Sequence, residues 1–131
     1  MFFVVRLPLS ITLGVNKKRT YIINMNNFRN WKHFLKNTIK QEFHKEVIPK
    51  LPPVKFNGKV KITYTYYDNN NRRKDLSNVC AMIDKFFSDC LVEAGIIQDD
   101  CVDILPAVSY HYGGKDEFKE GYVLAVVEEI E

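Results

Sequence analysis

Between residues 72 and 100 the chain carries Arg72-Arg73-Lys74-Asp75, then Asp84-Lys85, Asp89 and the pair Asp99-Asp100. Carboxylates gathered from separate elements suit Mg²⁺, a hard cation that binds oxygen, keeps several waters and takes only a few protein carboxylates. Acids beside two arginines and a lysine also suit phosphodiester hydrolysis. A metal would activate water and neutralise developing charge while the cations hold the backbone. Asp75 follows a strand and Asp100 lies just past a helix that folds back along the sheet, so the two are expected to meet at one sheet edge. The bland reading of the same residues is a solvated turn at Asp99-Asp100 and an exposed helix face carrying Asp84 and Asp89 beside Lys85.

Other chemistries lack their parts. The sequence contains no Gly-rich phosphate loop, no G-x-S-x-G elbow and no H-E-x-x-H, and His33, His44 and His111 stand alone. The three cysteines, Cys80, Cys90 and Cys101, form no C-x-x-C and no zinc-ligand spacing. They read as free thiols, with Cys80 and Cys90 buried as small hydrophobes. The start MFFVVRLPL lacks a basic segment and is too short in its apolar run to target or span a membrane. A reducing cytoplasm is the expected location, with no membrane partner.

The elements that must position these residues follow from hydrophobic period. Phe2 to Leu7 reads as a short strand ended by Pro8, and Arg19 to Ile23 as a second strand-like stretch. From Asn27 the period becomes helical. Phe28, Trp31, Phe34, Leu35, Ile39, Phe43 and Val47 make one buried face, Asn26 or Asn27 serves as N-cap, and Pro49 stops the helix. The opposite face holds Arg29, Lys32, Lys36, Lys40 and Lys45, a row that serves either solubility or contact with nucleic acid. Lys59 to Asp68 alternates, placing Val60, Ile62, Tyr64 and Tyr66 on one side. A polar turn at Asp68 to Asn71 leads into a second helix, Asn78 to Ala94, with Gly95 as its stop. Two more strands, Ile104 to Tyr112 and Tyr122 to Ile130, are joined by a loop beginning at Gly113. This order predicts a single α+β domain over residues 1–131, a small mixed or antiparallel sheet packed with two main helices.

Charge is segregated along the chain. The total is +3. Residues 1–74 hold 16 basic and 3 acidic side chains, whereas residues 75–131 hold 3 basic and 13 acidic ones, giving balances of +13 and −10. Such a split fits a domain that meets a polyanion with one part and a cation with the other; two faces that neutralise each other would give the same numbers.

Taken together, Arg72-Arg73-Lys74-Asp75-Leu76-Ser77-Asn78, Asp84-Lys85, Asp89-x-Leu91-x-x-Ala94-Gly95 and Asp99-Asp100 resemble the RusA family of Holliday junction resolvases. The match covers residues 72–100, about a quarter of the chain, and the element order agrees over most of the rest. The family pattern is a basic stretch, D-L-D-N opening a helix, a lysine further along it, then a glycine and an Asp-Asp pair. The resemblance implies an intertwined homodimer, from a bacterium or its phage or prophage, that nicks four-way DNA junctions with Mg²⁺, Mn²⁺ being an alternative ion. It makes Asp75, Asp100 and Lys85 the catalytic residues and Asp75 and Asp100 the core metal ligands, with Asp99, the neighbour in the pair, or Asp84, the available replacement on this chain's own helix, supplementing them. Arg72, Arg73, Lys74, Lys32, Lys36 and Lys40 would then bind DNA. One departure bears on activity: Ser77 stands where the family has its second aspartate, and a hydroxyl is a much poorer Mg²⁺ ligand than a carboxylate. The alternative is therefore a protein of the same fold that binds branched DNA with weak or no cleavage.

Overall fold

The alternation over residues 60–68 becomes the centre of the molecule in the computed structural model, which describes residues 1–72 and 74–130. Six strands form: β1 (Phe2–Leu7), β2 (Ser10–Leu13), β3 (Arg19–Ile22), β4 (Val60–Asp68), β5 (Ala107–Lys115) and β6 (Tyr122–Glu129). Three helices accompany them: α1 (Met25–Asn30), α2 (His33–Val47) and α3 (Leu76–Glu93). The main sheet has the order β1-β6-β4-β5, and β2 pairs with β3 as a separate hairpin. β4 runs parallel to β5 and antiparallel to β6, which in turn is antiparallel to β1. Parallel neighbours need a long crossover, and α3 is that crossover. The domain is α+β with a mixed sheet.

One face of the sheet is dry. Val60, Ile62 and Tyr64 of β4 and Val123, Ala125 and Val127 of β6 are fully buried beneath α3, whose Ile83, Phe87, Cys90 and Leu91 are equally buried. α2 closes the layer with Ile39, Phe43 and Val47. Each such side chain removed from water contributes about 1.5–3 kcal/mol, so this layer holds the fold together. A Lys40–Asp89 salt bridge at 2.7 Å and a His44–Glu93 hydrogen bond at 2.8 Å tie α2 to α3.

Several expectations are corrected. The long first helix is two, because Lys32 and Trp31 both take extended backbone, with ψ of 154° and 136°. Trp31 meets Tyr21 and Phe28 edge to face at 6.0 and 6.1 Å, and this aromatic corner favours the break over a continuous helix. The N-cap is Asn24, whose side chain accepts from the Asn27 amide at 2.7 Å, not Asn26 or Asn27. Downstream of the break the helical phase is reset, leaving Phe34 81% exposed instead of buried. Among the described residues there are therefore three α-helices where two were expected.

α3 starts two residues before its expected start, since Asp75 caps it, and it ends at Gly95 in the left-handed region with φ +75°. β5 is displaced toward the C-terminus, so Gly113, Gly114 and Lys115 lie in a strand and not in a loop. β2 has no counterpart in the sequence reading. Cys80 and Cys90 are buried, as expected, and Cys101 is exposed. No helix among the described residues is long and apolar enough to cross a membrane.

Candidate functional site

Asp75 sits at the junction of a loop and α3, and its local bonds follow from that position. Its Oδ1 accepts from the Ser77 amide at 3.2 Å and from the Ser77 hydroxyl at 3.0 Å. This is an N-cap, with the carboxylate offsetting the positive end of the helix. Asp75 also lines a cleft of about 660 Å³ at the end of the sheet where β4 runs out and α3 begins. Arg6, Lys50, Arg72 and Lys74 line it as well, against only Asp75 and Glu120 among acids. Ser77 lies in the first turn of α3, so Asp84, seven residues on, is displaced by about 10 Å of helix rise. Asp84 therefore does not take the place of the carboxylate that Ser77 lacks.

Asp84 belongs to a different environment. It is half-buried, not on an exposed face, and its Oδ1 accepts from the Tyr64 hydroxyl at 2.5 Å. Burial pushes its carboxyl above the usual range, the bond from Tyr64 pulls it partly back, and the charge of Asp100 pushes it up again. Tyr64 is driven well above its ordinary value by burial and then by Asp84. Asp99 and Asp100 are exposed, with the Asp99 carboxylate accepting from the Asp100 amide at 2.8 Å.

The expected set of Asp75, Asp84, Asp99 and Asp100 thus does not assemble as one cage. Asp84 and Asp100 feel each other's charge, whereas the cleft that holds Asp75 has neither in its lining. Among the described residues no three His, Cys, Asp or Glu side chains converge to hold a metal ion.

The cations divide into spent and free. Lys74 Nζ donates to Asp68 at 2.9 Å, to the Asn70 side chain at 2.5 Å and to the Arg72 carbonyl at 3.1 Å. A lysine has three donors and all three are used, so Lys74 braces the loop and has none left for phosphate. The sequence places Asp68 at the end of the Lys59–Asp68 strand and the start of the polar turn, with no partner assigned to its carboxylate. It is 4% exposed, and although burial raises its carboxyl, the bonds from Lys74 and the Asn70 amide outweigh this and hold it below the usual range. The signal was present, since Asp68 shares the inward parity of Val60, Ile62, Tyr64 and Tyr66.

Lys40 is likewise occupied by Asp89. Lys32 is exposed at the start of α2. Lys36 and Lys85, from different helices, both lie against the Phe28 ring, 4.5 and 4.8 Å from its centroid. Neither makes an ion pair among the described residues, so two cations converge on one aromatic corner. Arg73 lies outside the described residues.

The sequence reading also missed a stack at the mouth of the cleft. The Arg6 guanidinium lies 3.7 Å from the centroid of the Tyr122 ring, and Tyr122 stacks on Tyr67 at 4.7 Å. Arg6 sits in a strand short enough that only its hydrophobic neighbours drew notice, and pairing of β1 with β6 brings it beside Tyr122. No protein-family model matches the chain, and no curated protein is significantly similar to it.

Proposed function

We propose that the chain is a Mg²⁺-dependent endonuclease of the RusA type, resolving four-way DNA junctions by paired nicks in recombination and repair, in the cytoplasm of a bacterium or from a phage or prophage. The observation that carries the reading is Asp75, opening α3 at the edge of a cleft of about 660 Å³ in which cations without an ion pair among the described residues outnumber acids. Pairing of a basic loop with a helix-capping aspartate is what the resemblance over residues 72–100 leads one to expect.

The donor set fits Mg²⁺ only in part. Asp84 and Asp100, whose charges interact, would hold the ion, with Asp99 beside Asp100 in sequence; Mg²⁺ asks for one or two carboxylates and fills its shell with water and substrate phosphate. When bound, the ion supplies Lewis acidity and an activated water. Tyr64 orients Asp84 by donating to its Oδ1, which leaves Oδ2 for a ligand. Lys85, with Lys36 beside the same ring, offers positive charge to the pentacovalent phosphate, and Arg72 and Lys32 contact phosphates without reading sequence.

A homodimer fits the uncovered face of the sheet, where Phe2 and Val4 are exposed and Leu124 and Val126 are half-exposed, an apolar stretch of the kind that marks association. Two-fold symmetry would suit paired incisions. A monomeric mass in solution would remove this part of the reading.

A specific observation favours the second reading, a junction-binding protein that cleaves feebly. Asp75 is satisfied as a cap by Ser77, and no third acid completes a cage among the described residues. The two readings part in one experiment on a synthetic four-way junction: wild type and Ser77→Asp are compared for mobility shift and for nicking in Mg²⁺. The enzyme reading expects nicks from both. Nicks from Ser77→Asp alone would establish the binding protein, and no shift with any branched DNA at low salt would defeat both.

A further inference from the structure

The cleft beside Asp75 is too small for a duplex and too elaborate for a single ion. Its volume of about 660 Å³ lies within the usual range for small-molecule sites, about 300–1,000 Å³. A base-paired stack does not enter such a space, whereas one nucleotide does.

Its chemistry matches the three parts of a nucleotide. The floor is apolar, with Leu7, Ile23 and Val79 buried there. Arg6 and Arg72 make no ion pair among the described residues, so their charge is available to a phosphate. The guanidinium of Arg6 is already held flat against Tyr122, which is itself backed by Tyr67. A planar cation fixed in this way is a prepared stacking platform, whose rotamer entropy is spent before any base arrives. A free phosphate would use the cations but neither the platform nor the floor.

We propose that this cleft receives one unpaired nucleotide, extruded at the branch point of the DNA, with its base on Arg6 and its phosphate toward Arg72. This rests on the branched-DNA reading and deepens it: the protein tells a junction from a duplex because a pair flanking the branch point opens at lower cost than one within an arm. Placing that nucleotide beside Asp75 also sets which phosphodiester lies nearest the start of α3.

The test is photocrosslinking of a synthetic four-way junction carrying 5-iododeoxyuridine either at the branch point or within an arm, with the adduct mapped by peptide mass. The branch-point label should couple to the peptide holding Tyr122 or Arg6, about ten-fold above the arm label, and Arg6→Ala should weaken junction binding by about ten-fold. Arg6→Lys, which keeps the charge but not the flat platform, should lose the same preference for the junction with unchanged affinity for plain duplex. A junction that is shifted normally yet couples equally from both positions, or couples elsewhere, overturns this inference while leaving the function intact. Absence of any shift overturns the function itself.

Discussion

Asp68 and Lys74 show how a side chain typed as surface becomes structure. Lys74→Met removes the one cation among the described residues that is bonded to a carboxylate nearly out of water, and should lower stability by about 2 kcal/mol at neutral pH. Because the folded state lowers the carboxyl of Asp68, its contribution is present above the unfolded value and is lost as pH falls through the folded one. Urea midpoints of wild type and variant should therefore begin to converge below about pH 4 and meet only once pH passes the folded value. Asp84 has the opposite sign. Its raised carboxyl contributes stability while protonated and loses it as pH rises through the folded value, so ionised Asp84 is a cost at neutral pH. Asp84→Asn keeps an acceptor for Tyr64 and should gain about 0.5–2 kcal/mol near pH 7, with the gain vanishing in acid, while nicking falls. A parallel fall in stability and nicking would remove Asp84 from the site. The residue types of the site were legible in the sequence; their partners were not, since Lys74 finds Asp68, and Asp84 finds Tyr64, only after β4 and α3 pack together.

Elements were legible where period was strong and helix termini carried capping residues. β4, α3, β6 and the stop at Gly95 follow from alternation, a helical stripe and a glycine that accepts positive φ. The division of the first helix was not legible, because Phe28, Trp31 and Leu35 keep a helical spacing straight across the break. What ends α1 is a tertiary aromatic corner with Tyr21, which period does not encode. The extension of β5 through Gly113 is similar: glycines there read as a loop, but the strand needs one. A Cβ at Gly113 would sit 2.5 Å from the Tyr67 ring and 2.8 Å from the Thr65 methyl. Gly113→Ala should therefore cost about 1–3 kcal/mol and push Tyr67 off Tyr122, read as a lower urea midpoint together with a changed near-ultraviolet tyrosine signal.

At the scale of the molecule, the charge division is more selective than the counts suggested. Folding removes Lys40 and Lys74 from the available cations by pairing them with Asp89 and Asp68, and leaves Arg6, Arg72, Lys32, Lys36 and Lys85 without ion pairs among the described residues. Junction affinity should fall steeply with salt, and single neutralisation of Arg72 or Lys36 should reduce the slope of log K against log[salt] by about 1, whereas Lys40→Gln should leave it unchanged. Equal slopes for all three would mean that ion pairing in the fold does not sort the cations.

The central claim is cleavage of branched DNA with a metal held by the carboxylates that follow the basic loop. Its most direct measurement is incubation of the purified wild-type protein with a synthetic four-way junction, with Mg²⁺ and separately with Mn²⁺, read on a denaturing gel beside Asp100→Asn. The wild type should give paired, symmetric nicks, and Asp100→Asn a bound junction with no nicks. A wild-type protein that leaves the junction intact with both ions would contradict the claim.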